Sequence, residues 1–241
     1  MIRLLSTTVE AVLEGARRTG GAEAFAAPED LIAARARRGV HADRTLAGRA
    51  ALRLLLAHVL GEPPARARDL HVDRTCDRCG APHGRPRSPG ASLSGSTSQV
   101  HVLVAVSTQE AKIGVDVQSV PASLWQGFDA AVLHPLDHRP GRRRSGTVDL
   151  HSDIRLWTRK EALLKAAGTG LRIEPSRIPL VRRSPEDTPW WSTPRAAPPE
   201  VPPQVQGLHV RDLPGSVPRA VAASSMTPVH EVDLAAVLAA A

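Results

Sequence analysis

Leu156-Trp157-Thr158-Arg159-Lys160-Glu161-Ala162-Leu163-Leu164-Lys165 is the stretch on which both fold and chemistry turn. Its apolar positions recur at helical spacing, and Gly168 and Gly170 follow as stop signals. A helix is predicted over Ile154–Ala167, capped by Ser152 or Asp153. Glu161 and Lys165 stand four apart and share a face. Alone, that pair reads as an ordinary surface salt bridge. About forty residues earlier lies Ile113-Gly114-Val115-Asp116-Val117-Gln118, a short apolar strand with an acid near its end. Alone, Asp116 reads as a turn-forming residue; buried, it requires a cation or several donors. Together the segments offer two carboxylates and two lysines. Mg²⁺ takes oxygen ligands and is commonly held by one or two carboxylates plus substrate phosphates. Asp116 and Glu161 are therefore candidate ligands, and Lys160 and Lys165 candidate partners of phosphate oxygens.

The surrounding chain has 241 residues, 42% hydrophobic and 23% charged. That suits one large or two small domains with a real core. With four Trp, two Phe and no Tyr, the core must be aliphatic. The net charge of +7 favours anionic partners: nucleic acid, a phosphate-rich cofactor or an acidic protein. Clusters such as Arg35, Arg37 and Arg38, or Arg142 to Arg144, read equally well as solvated surface. No membrane span is expected, for want of a long apolar run. Glu10 and Glu14 interrupt the apolar start, so no signal peptide is expected. Cys76 and Cys79 are too few for a disulfide framework. These readings predict a soluble, cytoplasmic protein.

Residues 1–24 read as an amphipathic helix or an arm. A better helix is predicted over Ala42–Leu60, stopped by Gly61 and Pro63-Pro64. Residues 73–90 form a loop. Val100–Ser107 alternates as a strand, and Ile113–Val117 is close enough to pair with it as a hairpin. His134 to Gly146 is a basic loop, and 184–204 a Pro-rich excursion. Strands over Gly207–Leu213, Arg219–Ala223 and Val229–Leu234 follow. Each half runs helix first and then strands, which permits a pseudo-dimer of two subdomains.

Gly114-Val115-Asp116 and Trp157 to Lys165 resemble the signature of the 4′-phosphopantetheinyl transferase superfamily: G-[IV]-D, then [FW]-[STC]-x-K-E-[AS]-x-x-K. Upstream, Cys76-Asp77-Arg78-Cys79-Gly80-Ala81-Pro82-His83-Gly84-Arg85-Pro86 resembles that family's C-x-x-C-G-x-P-H-G-[KR]-P stretch. Ser92-Leu93-Ser94-Gly95-Ser96 is similar to its S-H-S segment. The likeness spans roughly residues 42–180, and the motif interval with a two-half chain resembles the Sfp-type branch. Two positions depart from the pattern: Gln118 stands where many members carry Glu, and Gly95 where they carry His.

The resemblance implies an α+β fold of two similar subdomains, 1–112 and 113–241. Each would pack a long helix on a small, mainly antiparallel sheet, with the active site in the cleft between them, in a monomer. It also implies Mg²⁺-dependent transfer of 4′-phosphopantetheine from coenzyme A to a serine of an apo acyl carrier protein or peptidyl carrier domain. Adenosine 3′,5′-bisphosphate would leave. Asp116 and Glu161 would hold the metal, with Gln118 acting through water, and Lys165 would stabilise the leaving phosphate. Glu161 or a metal-bound water would take the serine proton. Arg53, Arg85, His83, Ser94, Lys160 and Lys165 would meet coenzyme A.

Other classes fit less well. Cys76, Cys79 and His83 make an incomplete set where structural zinc wants four ligands, so zinc is not expected. Gly90-Ala91-Ser92-Leu93-Ser94 fails the last position of a G-x-S-x-G elbow. There is no Walker A sequence, and the scarcity of aromatics argues against stacking-based RNA readers. A basic nucleic-acid-binding module, and a homologue that binds coenzyme A without turnover, are the competing readings.

Overall fold

Val40–Leu60 winds as one helix because its small and aliphatic residues form a broad buried face and Gly61 ends it in the left-handed region, at φ 73°. It is the third helix of a computed structural model that describes residues 1–137, 149–182, 190–192 and 201–239, with backbone alone at 182, 191 and 192. The strands are β1 (Ile2–Thr8), β2 (Arg87–Ser88), β3 (Ala91–Ser98), β4 (His101–Ser107), β5 (Ile113–Val117), β6 (Val181–Arg182), β7 (Trp191–Ser192), β8 (His209–Asp212), β9 (Arg219–Ala223) and β10 (Val229–Val232). The helices are α1 (Val9–Arg17), α2 (Pro28–Arg35), α3 (Val40–Leu60), α4 (Phe128–Val132), α5 (Leu150–Ala167) and α6 (Leu234–Ala239). The basic segment 138–148 and most of the Pro-rich excursion 184–204 lie outside the described residues.

The chain divides into two compact units. Met1–Glu110 and Thr227–Ala241 make the first, and Ala111–Met226 the second. In the first, the sheet order is β10-β1-β4-β3-β2, with α3 packed on β4 and β3. Its core is aliphatic: Leu5, Leu52, Leu55, Leu56, Leu93, Val102, Val104 and Val106 interdigitate, with Phe25 the one buried aromatic ring. Residues 2–8 form a strand where a helix or arm was expected. Ile2, Leu4 and Leu5 are fully buried between β4, which pairs antiparallel, and β10, which pairs parallel. Thr8 then caps α1 by accepting from the Ala11 amide at 3.1 Å.

In the second unit, the order is β5-β9-β8-β7-β6, all antiparallel, with α5 packed on β5, β9 and β8. Leu156, Leu163, Leu164, Ile178, Leu180, Val205 and Val210 fill the core beneath the helix. Three expectations are corrected. β5 pairs with β9 and not with β4, so no hairpin joins them. The strand at 229–232 belongs to the first unit. α5 begins earlier than expected, at Leu150, and Asp149 caps it by accepting from the Ser152 amide at 3.2 Å. Each unit is thus α+β, one long helix on a five-stranded sheet. Among the described residues no helix is long and apolar enough to cross a membrane.

Candidate active site

Gly114 decides how closely β5 approaches α5. A Cβ there would lie 2.0 Å from the Ala162 carbonyl oxygen and 2.4 Å from the Ala166 nitrogen. Only a residue without a side chain fits. Side chains alternate along a strand, so Asp116 points to the same side as Gly114, toward the helix. One turn of α5 presents Glu161 and Lys165 there. The Lys165 Nζ donates to Asp116 Oδ1 at 2.7 Å, and the Gln118 amide donates to Asp116 Oδ2 at 2.9 Å. Asp116 is buried, 1% exposed.

Glu161 completes the cluster. Burial pushes its carboxyl up to about 7, the Asp116 charge pushes the same way, and Lys165 pulls it down. Its Oε1 is buried and has no hydrogen-bond partner. A buried acceptor without a donor is costly, and beside a second carboxylate it is what a divalent cation relieves. The donor set fits Mg²⁺: two hard carboxylate ligands with positive charge alongside for phosphate. Asp116, Glu161 and Lys165 are therefore brought together, and Gln118 lies in the same cluster as an amide donor to Asp116.

The rest of the helical motif is structural. Lys160 is fully buried and donates to the Val132 carbonyl at 2.6 Å and to Asp137 Oδ2 at 2.7 Å. Asp137 also accepts from the His134 and Leu180 amides. Lys160 thus ties segment 132–137 to α5 and is not presented to a phosphate. Arg159 grips Asp212 with two bonds, at 2.9 and 2.6 Å, fixing α5 to β8. Trp157 packs edge-on against Trp125, which in turn meets Phe128.

In the first unit the expected phosphate-binding residues fall differently. Arg53 is 1% exposed; it pairs with Asp30 and Glu29 and donates to the Leu70 carbonyl. Its guanidinium fastens α2 to α3. His83 turns its Nε2 to the Cys79 sulfur at 3.0 Å. Ser94 is buried in β3 opposite Ala105. Arg85 is half-buried, which together with Arg87 lowers its pKa.

A basic pocket lies instead among Arg44, Arg49, Arg74, Gly95, Ser96 and Thr97. Arg49 is held by Asp30 at 3.0 Å, and Arg44 by Gln99 at 2.7 Å. Burial, then the charge of Arg49, lowers Arg74 to about 10, and its Nε is buried with no partner. Such a cationic pocket with an unanswered donor suits a phosphate. Nothing in the one-dimensional pattern distinguishes Arg74 from the other basic residues, because its neighbours come from α3 and β3.

The family model described as the 4′-phosphopantetheinyl transferase superfamily matches residues 112–192, about a third of the chain. The matched segment contains Asp116, Gln118, Glu161 and Lys165, all within the second unit. No curated protein matches the chain.

Proposed function

We propose that this protein transfers 4′-phosphopantetheine from coenzyme A to a serine of an apo acyl or peptidyl carrier protein, in the manner of the Sfp-type branch. The observation that carries the reading is the convergence of Asp116 and Glu161, far apart in sequence, with one buried Glu161 oxygen lacking any donor. Asp116 and Glu161 would hold Mg²⁺, with Gln118 supporting Asp116 and a metal-bound water. Bound there, the metal would neutralise charge developing on the pyrophosphate oxygens.

The chain's own groups have distinct tasks. Lys165 lies on Asp116 and is long enough to turn to the leaving phosphate, supplying positive charge as adenosine 3′,5′-bisphosphate departs. Glu161, with its affinity for a proton raised by burial, suits acceptance of the carrier serine's proton. The pocket of Arg44, Arg49 and Arg74 in the first unit has the charge to take a phosphate group. Gly95 lines it, at the position where many family members carry His. The net charge of +7 favours encounter with an acidic carrier protein.

The test is a mass measurement. The protein, coenzyme A, Mg²⁺ and a panel of apo carrier proteins are incubated, and the carrier should gain one phosphopantetheine. Asp116→Ala and Glu161→Ala should each cut the rate about 10²–10³-fold, the effect of losing several kcal/mol of charge stabilisation, with circular dichroism unchanged. Arg74→Ala should raise KM for coenzyme A about tenfold, the loss of one charge-assisted bond. No mass gain on any carrier, with coenzyme A still bound, would favour the non-turnover homologue.

A further inference from the structure

Cys76, Cys79 and His83 sit at the tip of the loop running from Asp73 to Arg87. Their ligand atoms, two sulfurs and an imidazole nitrogen, all lie within 4.8 Å of one another. No other group of three or more such side chains converges this way among the described residues. In a tetrahedral zinc site, bonds of about 2.3 Å to sulfur and about 2.0–2.1 Å to nitrogen leave the donors somewhat under 4 Å apart. Only a small contraction separates the observed spread from that geometry.

The backbone around the cysteines is already shaped for an ion. Gly80 takes the left-handed conformation, φ 71°, and its N–H closes the turn on the Cys76 carbonyl at 2.9 Å. The Cys76 N–H donates to the Ala81 carbonyl at 2.9 Å, and Gly84 donates to Arg74 at 2.7 Å. Gly84 admits no side chain: a Cβ would lie 2.5 Å from the Thr75 carbonyl oxygen. The two limbs of the loop are thereby pressed together, and His83 is delivered to Cys79.

We propose that Cys76, Cys79 and His83 bind one zinc ion, with water in the fourth position, and that the ion clips this loop. Three protein ligands and an open position satisfy zinc's preference for four-fold coordination. The fourth protein ligand that the sequence lacks is therefore not needed. This site shares no residue with the carboxylate cluster and does not depend on the transferase reading.

The experiment uses tag-free, full-length protein purified under reducing conditions. It should carry about one equivalent of zinc, removable by a chelator. Cobalt added to the stripped protein should give the thiolate-to-metal charge-transfer band and the intense visible bands of a tetrahedral S₂N site, and zinc should abolish both. Cys79→Ser should weaken zinc binding by more than about 100-fold, beyond what loss of an outer partner costs. Asp116→Ala should leave the cobalt spectrum intact. Absence of the charge-transfer band in the wild-type protein, or its survival at full intensity and affinity in Cys79→Ser, would overturn the proposal. So would two freely titrating thiols after metal is added.

Discussion

Glu161 illustrates how a functional side chain burdens the fold that carries it. Its folded-state pKa, about 7, lies above the ordinary value of 4.5. The folded protein therefore favours the protonated form. That contribution to stability is complete below about pH 4.5 and is lost as pH rises through 7. Discounted for the solvent that still reaches the group, the loss is of order 2 kcal/mol. Glu161→Gln keeps the shape without the charge, so above pH 7.5 it should melt at a higher temperature than the metal-free wild type. Near pH 4.5 the two should coincide. Mg²⁺ should raise the wild-type Tm at pH 8 more than at pH 6, because binding needs the ionised carboxyl, and should leave Glu161→Gln unmoved. Differential scanning calorimetry across this range is the check. At this scale the sequence was readable where spacing was short. Glu161 and Lys165 share a helical face by arithmetic. The ion pairs of Arg53 and Lys160 were not readable, because their partners, Glu29 and Asp30 for one and Asp137 for the other, lie more than twenty residues away. A buried cation and an anion-seeking one look alike until those partners are seen.

Between β5 and α5 the decisive quantity is a distance between backbones. Gly114→Ala would drive a methyl into the Ala162 carbonyl, which cannot swing aside as a side chain could. The cost should be about 3 kcal/mol or more, at the upper end of overpacking effects. The helix would be pushed off the strand, separating Asp116 from Lys165. Gly95→Ala is the control: its added carbon would meet Val104 Cγ1 at 3.4 Å and the Leu103 carbonyl oxygen at 3.9 Å, and should change stability by less than about 1 kcal/mol. Urea denaturation of the two variants separates the outcomes; equal midpoints would refute the close-approach account. Helices α3 and α5 were legible in sequence because Gly61 and Gly168 mark their ends locally. Both glycines are left-handed, near φ 73°. Strand partners were not legible. Leu4 faces Glu231 across more than two hundred residues, and no local pattern encodes that pairing. β1 looked helical for the same reason: its apolar run carries no mark of the strands on either side.

Taken as a whole, the chain leaves its first unit at Glu110 and re-enters it at Thr227. The second unit is closed at its own ends. The Ser224 amide donates to the Lys112 carbonyl at 3.1 Å, and β5 and β9 pair from Ile113 opposite Ala223. Residues 111–226, expressed alone, should therefore fold cooperatively, with Tm in the ordinary mesophile range of about 45–65 °C, and should retain the Mg²⁺-dependent stabilisation. Calorimetry and a dispersed proton spectrum would show it; a broad, non-cooperative melt would refute it. Because the family match falls inside this unit, the same fragment also tests whether the carboxylate cluster is self-sufficient.

Strand β10 gives the nascent chain an unusual timetable. The first unit cannot finish its sheet until residues 229–232 have emerged, although nearly all its other residues are made before the second unit begins. During translation the outer rim of β1 thus stays unzipped, offering bare amides and carbonyls to any passing strand. The inserted unit meanwhile contains all its own strands and can mature first, reversing the usual order in which N-terminal domains lead.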